Sequence, residues 1–169
     1  LNSRYIPGFQ PDVKDAYITL TSHNASSYDL NARRLESLSE RSRTFKAKIV
    51  GDFPEASYPT EATLEFKKGA QVMFVRNDLS AEKRYFNGKI GTVSKLEENK
   101  IFVQCEGTPE IEVQKEKWEN IRYTLNKKTR QLDADVLGSF TQYPLRLAWA
   151  ITIHKSQGLT FEKAIIDAG

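Results

Sequence analysis

Apolar positions along the chain change their period several times. The run "AYITLTS" (16–22) is short, apolar and rich in β-branched residues, and it predicts a buried strand. The segment that follows, "HNASSYDLNARRLESLSE" (23–40), spaces Ala25, Tyr28, Ala32, Leu35 and Leu38 as one helical face, with Asn24 as candidate N-cap. "TFKAKIVGDF" (44–53) alternates and predicts a further strand closed by Gly51-Asp52. "PEASYPTEA" (54–62) has the composition of a linker. Ahead of the first strand, Pro7, Gly8 and Pro11 mark residues 1–16 as an irregular lead-in.

From residue 63 the grammar changes. "TLEFKKGAQVMFVRND" (63–78), "GKIGTVSKL" (88–96), "KIFVQCEG" (100–107), "EIEVQKEKWENIRYTL" (110–125) and "DADVLGSFTQYPL" (133–145) read as short strands parted by turns such as "FNGK" and "EENK". Even spacing of this kind predicts a small antiparallel barrel. "LAWAITIHKSQGLTFEKAIIDAG" then returns to an apolar strand, a polar stretch of about one helical turn, and a second apolar strand. The expected fold is therefore α/β: a largely parallel sheet domain contributed by residues 1–62 and 144–169, interrupted by a barrel at 63–143. Strands near Ile18–Leu20 and Ile165–Asp167 should share one sheet.

Bulk properties narrow the function classes. The 169 residues suit one domain, or one domain carrying a small insertion. No apolar run approaches the length of a membrane span, and Leu1 to Pro11 holds no apolar signal core. A single cysteine, Cys105, excludes an internal disulfide and points to a reducing, intracellular compartment. With two histidines and one cysteine far apart, a zinc site has no sequence support. Lys and Arg total 25 against 22 Asp and Glu, and the resulting net charge of +3 permits nucleic acid without specifying it. A start at Leu1 and an end just after "KAIIDAG" lead us to expect a piece of a longer protein.

The most pointed chemistry lies in "TIHKSQG" (152–158), where an apolar strand passes directly into polar and small residues. It offers a hydroxyl, an imidazole, an ammonium and several backbone N–H groups, which are donors that suit phosphate, and Gly158 allows a tight bend. An ordinary polar turn carrying a surface histidine fits the same residues. The longer stretch "AITIHKSQGLTF" closely resembles motif V of superfamily 1 helicases of the Pif and RecD group, nearly unbroken over a dozen residues. "ITLTSHNASSYDLNARRL" (18–35) resembles motif IV, with Thr21, Asn24 and Asn31 in the expected places, and "LEFKKGAQVMFVRND" with "YFNGKIGTV" resembles the entry to the inserted barrel.

That resemblance implies the second RecA-like domain of such a motor, of the P-loop NTPase type, holding an SH3-like barrel. It implies a parent that is an ATP-dependent, 5′ to 3′ DNA helicase using ATP and Mg²⁺, with single-stranded or fork DNA and an N-terminal RecA-like domain of the same chain as partners, in the cytoplasm or at the nucleoid. Thr152 and His154 would contact the DNA backbone or hold the loop that does, with Lys155 beside them. Ser156, Gln157 and Gly158 would form the turn facing the nucleotide cleft, and Thr21 and Asn24 would lie on the same rim. No phosphate loop of the form G-x-x-x-x-G-K-[ST] is present, no Asp-Glu metal pair follows an apolar strand, and the arginine of motif VI is absent. The chain by itself is therefore expected to turn over no ATP and to hold no cofactor. In the barrel, Arg76, Lys83, Arg84, Lys89 and Lys95 lie near Tyr85 and Phe86, either as a strand-tracking surface with Arg84 in contact with nucleic acid, or as a solvated loop whose aromatics plug the barrel. Trp118, Ile121 and Tyr123 read as barrel core, and "NKKTR" (126–130) as a charged hairpin tip. The competing reading is a non-catalytic nucleic-acid- or protein-binding module centred on the barrel.

Overall fold

The computed structural model describes residues 6, 17–125, 132–161 and 163–167. The expected lead-in (1–16, apart from residue 6) and the "NKKTR" tip lie outside the described residues. In chain order the first elements are β1 (Ile18–Thr21), α1 (Asn24–Glu36), β2 (Arg43–Lys46) and β3 (Lys48–Gly51). The middle follows with β4 (Thr63–Phe66), β5 (Gln71–Phe74), β6 (Ile90–Leu96), β7 (Ile101–Gln104), β8 (Ile111–Val113), β9 (Glu116–Leu125) and β10 (Leu132–Gln142). The chain then forms β11 (Leu145–Leu147), β12 (Ala150–Thr152), α2 (Ile153–Ser156) and β13 (Ala164–Asp167).

Residues more than a hundred positions apart meet in a parallel sheet of order β12-β1-β13. Its register sets Thr21 beside both Thr152 and Asp167, so three strands end in one row. Ile18, at 0% exposure, packs with Met73, Ala148 and Ile151 beneath it. The expected pairing of residues near 18–20 with those near 165–167 is present.

The rest of the chain is antiparallel. One sheet has the order β11-β5-β6-β7-β8, with β11 and β8 at its edges. Among the described residues no pairing joins those edges, so the sheet is open where a closed barrel was expected. Its alternating inward residues, Val72, Phe74, Val93, Ile101, Val103, Ile111 and Val113, form the main core together with Phe45, Phe66, Tyr143 and Leu145. The expected strand at 44–53 is in fact two strands parted at Ala47. β2 pairs with β4, and β3 pairs with β10. Neither joins the parallel sheet. The hydrophobic alternation that predicted a strand carries no information about which sheet that strand enters.

β9 and β10 form a long ribbon. Its outer part places Ile121, Tyr123 and Leu125 opposite Val136, Ala134 and Leu132 on one face, and all three large β9 residues are exposed. Ile121 and Tyr123 are thus not core, and Trp118 is half-buried, edge-on to Phe140 with the Arg76 guanidinium 5.4 Å from its ring centre. The extended partner, not a packed interior, explains their strand-like sequence. In α1 the buried positions are Ser27 and Leu35, with Leu30 and Leu38 packed beside them. The expected Ala25, Tyr28 and Ala32 face solvent instead. Leu35 and Leu38 pack as expected, while in the first turns the contact face runs through Ser27, Leu30 and Asn31, whose side chain reaches the sheet.

Two junctions fix the parallel sheet to the antiparallel part. Buried Gln71 at the start of β5 donates from Nε2 to the carbonyls of Tyr17 (3.0 Å) and Ala148 (2.7 Å), one on each chain segment entering the parallel sheet. Gly88, at φ +97°, is approached by Leu159, whose Cδ2 would lie 3.2 Å from any Cβ placed there. The glycine is needed both for the backbone angle and for the contact.

Candidate nucleic-acid interface

β1 and β12 run parallel and side by side, so the turns that leave them emerge together at the C-terminal edge of the sheet. In α/β sheets that edge, where loops leave strand ends, is where ligands are bound. The first turn holds Ser22, His23 and Asn24, and the second holds α2 and Gln157-Gly158.

Thr21 is 2% exposed. Its Oγ1 donates to the carbonyl of His23 (3.1 Å) and lies 3.5 Å from that of Ile151. It therefore shapes the rim from within. Asn24 is exposed and is the first residue of α1, while the N-cap position falls on His23, at φ −122°. This corrects the sequence expectation of an Asn24 cap. Ser22 Oγ sits 2.7 Å from His23 Nδ1, and no side chain caps the helix. Asn31 makes the decisive link. It donates to the carbonyl of Ala150 (2.8 Å) and accepts from the N–H of Ala150 (2.9 Å). Ala150 sits on an edge strand, so the side chain replaces the missing neighbour strand and ties α1 to the strand that launches α2. Its amide pairing was not legible from spacing, because nothing in the helical period marks a residue 119 positions away as its partner.

Thr152 is 4% exposed and caps α2, its Oγ1 accepting from the N–H of Lys155 at 3.4 Å. His154 and Lys155 are exposed, and neither side chain has a protein partner among the described residues. Ser156 Oγ donates back to the carbonyl of Ile153 (2.6 Å), and the N–H of Gln157 to that of His154 (3.4 Å). Gly158 turns the chain at φ +77° with open space where a Cβ would be. The rim thus presents two imidazoles, that of His23 beside Ser22 and that of His154, with one ammonium and a glycine bend, on a floor fixed by two buried threonines. That arrangement can donate hydrogen bonds and positive charge to an anionic backbone.

Arg84 stands elsewhere, in the loop between β5 and β6. Its Nε is 3.2 Å from Asp78 Oδ2 and 3.2 Å from Glu82 Oε2. Buried Asp78 also accepts from the backbone N–H groups of Ser80 (2.9 Å) and Arg84 (3.0 Å). Burial alone would raise this carboxyl, but these hydrogen bonds together outweigh it and hold its pKa at about 2. The five basic residues near Tyr85 and Phe86 do not form one cluster. Arg76 pairs with Glu116 and Lys95 with Glu97, while Lys89 stays beside Phe86. Tyr85 is buried and stacked on Phe74 at 3.9 Å, and burial, with Asp78 and Glu116 adding to it, pushes its phenol up to about 12. Phe86 is 52% exposed. Cys105 is buried and free, a small core residue whose thiol burial pushes upward in pKa.

With fold and rim in view, the chain falls among one class of homologue: DNA helicases of superfamily 1 cover most of its length. More narrowly, these homologues are Pif1 helicases. The ATP-dependent DNA helicase Pif1 of Campylobacter jejuni is 29% identical over 168 residues, covering 92% of this chain. Unliganded Pif1 from a Bacteroides species is 40% identical, superposes with a TM-score of 0.85 and covers 94% of this chain. Bacteroides Pif1 in complex with ADP-AlF3 and single-stranded DNA is 40% identical with a TM-score of 0.75, over 98% of this chain. The chain spans 37% of the length of the Campylobacter relative and 36% of the unliganded Bacteroides chain. No family model matches it. No described helix is long and apolar enough to cross a membrane.

Proposed function

We propose that this chain is the second RecA-like domain, with an SH3-like insertion, of a Pif-type ATP-dependent DNA helicase that moves 5′ to 3′ on single-stranded DNA. The observation that carries the proposal is the shared rim. The segments resembling motifs IV and V leave adjacent parallel strands, and Thr21 and Thr152 lie side by side at their ends. Likeness to a Pif1 complex containing single-stranded DNA and a nucleotide mimic supports it.

In this proposal His154 and Lys155 face the DNA backbone, with Asn24 on the same rim. Thr21 and Thr152 hold the loops in place. Ser156, Gln157 and Gly158 form one wall of an ATP cleft whose other wall belongs to an N-terminal RecA-like domain. ATP with Mg²⁺ would be held mainly by that domain. The fit on this side is limited to the open turn at Gly158 and the unpaired cation of Lys155, and the described residues hold no His, Cys, Asp and Glu group able to ligate a metal. Arg84 has two carboxylate partners and is a weaker candidate for DNA contact than Lys89. Strand pairing favours drawing the insertion from about residue 43 to about 147, wider than the 63–143 expected from composition. Fork DNA as substrate, and an intracellular site of action, follow from the same proposal.

The test is DNA-stimulated ATPase rate against single-stranded DNA concentration, for the full-length protein and its His154→Ala variant, at two salt concentrations. His154 is exposed, so the variant should fold. It should lose stimulation more than it loses ATP binding, because the imidazole contacts DNA only in the assembled motor. Phosphate contacts also act through counterion release, so the DNA concentration that gives half-maximal stimulation should rise with salt. Unchanged stimulation at both salts would return His154 to the role of a surface residue in an ordinary turn.

A further inference from the structure

Beside the rim lies a cleft of about 620 Å³, walled on one side by β6, β7 and the turn before them and on the other by Thr160 and Phe161. Phe86 stands at its mouth. A half-exposed phenylalanine is unremarkable on a flexible loop, but this loop is pinned on both sides of Phe86. The N–H of Asn87 donates to Asn77 Oδ1 (2.8 Å), the N–H of Asp78 to the carbonyl of Tyr85 (3.0 Å), and the N–H of Lys89 to the carbonyl of Phe86 (3.0 Å). Asp78 ties the loop's far side through Ser80 and Arg84. Tyr85, next in sequence, is locked inward on Phe74, which turns Phe86 outward.

Lys89 lies over the Phe86 ring, its Nζ 5.7 Å from the centroid, and reaches toward the carbonyl of Glu106 (3.4 Å) across the cleft. A rigid aromatic face with a cation beside it, opening on a cleft that borders the motif V turn, has the chemistry of a nucleotide: a flat base and an anionic phosphate. The Leu159–Gly88 contact holds the two walls at a fixed distance, so the cleft is built and not a gap between loose parts.

We propose that this cleft is a nucleobase site, in which Phe86 stacks on a base of the bound single strand and Lys89 pairs with an adjacent phosphate. The inference rests on the helicase proposal, and it adds a contact from the insertion to those from the rim. It also assigns the stack to the base and not to the backbone. A preference for one base is not required, since every base has a π-face.

The experiment measures binding of the full-length protein to fluorescent single-stranded DNA across a salt series, and to a strand of equal length made only of abasic sugar–phosphate. Four proteins are compared: wild type, Phe86→Ala, Phe86→Trp and Lys89→Ala. Phe86→Ala should weaken binding to normal DNA about 5- to 150-fold, the range for losing one base–aromatic stack, with the salt slope unchanged. Binding to the abasic strand should be the same as wild type, and Phe86→Trp should restore affinity for normal DNA. Lys89→Ala should lower the salt slope by about 0.7, one phosphate's share on a single strand. Equal binding of wild type and Phe86→Ala to normal DNA would overturn the base site, as would an equal loss on both strands. If the wild type itself neither binds single-stranded DNA nor shows DNA-stimulated ATPase, the helicase proposal fails, and the base site with it. If the wild type does both and only the Phe86 effect is missing, the helicase proposal stands alone.

Discussion

Asp78 accepts three hydrogen bonds while almost out of solvent, and through them it sets the shape of the loop that carries Arg84, Tyr85 and Phe86. Its folded pKa of about 2 lies below the ordinary 3.8. The stabilisation from its ionised form is therefore complete above about pH 4 and disappears as pH falls through about 2. Asp78→Asn keeps the volume and removes the charge, and should cost about 2 kcal/mol at neutral pH. Urea unfolding midpoints of the two proteins should converge on acidification from pH 4 to pH 2. A gap that stays constant over that range would mean that the carboxylate's charge does not hold the loop.

At the scale of elements, the helix and the edge strand are joined by a single amide. Ala150 is 1% exposed, so without Asn31 both of its backbone polar groups would be buried without a protein partner. Asn31→Ala should destabilise the protein by about 2–3 kcal/mol, the scale of one or two orphaned buried groups. Asn31→Asp should not rescue it, because a carboxylate can accept from the N–H of Ala150 but is repelled by its carbonyl. Urea unfolding monitored by far-ultraviolet circular dichroism reads both variants, and stability equal to wild type in Asn31→Ala would show that water replaces the clamp. The same clamp accompanies the departure of α1 from its apolar spacing, which holds at Leu35 and Leu38 and fails at Ala25, Tyr28 and Ala32. Tyr28 is 74% exposed, while Leu35 on the same helix is buried.

For the whole molecule, the proposed function makes the chain one side of a motor. Phosphoryl transfer needs a phosphate cradle, a metal and charge stabilisation together, and the motifs that supply them do not occur in these 169 residues. The purified chain should release no phosphate from ATP above buffer, with or without single-stranded DNA, in a coupled phosphate-release assay. Turnover by the isolated chain would overturn its assignment as half of a motor. The parallel and antiparallel parts should nevertheless unfold together. Gln71 bonds to both segments entering the parallel sheet, and Leu159 is seated on Gly88, so neither part keeps its junction when the other melts.

Local patterning sufficed for the mixed α/β class and for the strand ends at Thr21 and Thr152, but it predicted a closed barrel where the described sheet is open. Period-two and helical patterning are local properties, and they marked β1, α1, the antiparallel middle and the strand–turn–strand at the end. The stretch that resembles motif V is contiguous, so its residues, from Thr152 to Gly158, could be read together. Long-range packing set the strand pairing, because the alternation in 43–51 looks the same whether those strands join the parallel sheet or, as they do, β4 and β10. It also separated residues that look alike in sequence: Thr152 buried as a cap and His154 free on the surface, Tyr85 locked inward and Phe86 turned out, Arg84 occupied by carboxylates and Lys89 left at a cleft. The physical reason is common to all of them. A side chain's role depends on partners tens of residues away, and hydrogen bonds such as those of Asn31 to Ala150 and Gln71 to Ala148 leave no trace in local spacing.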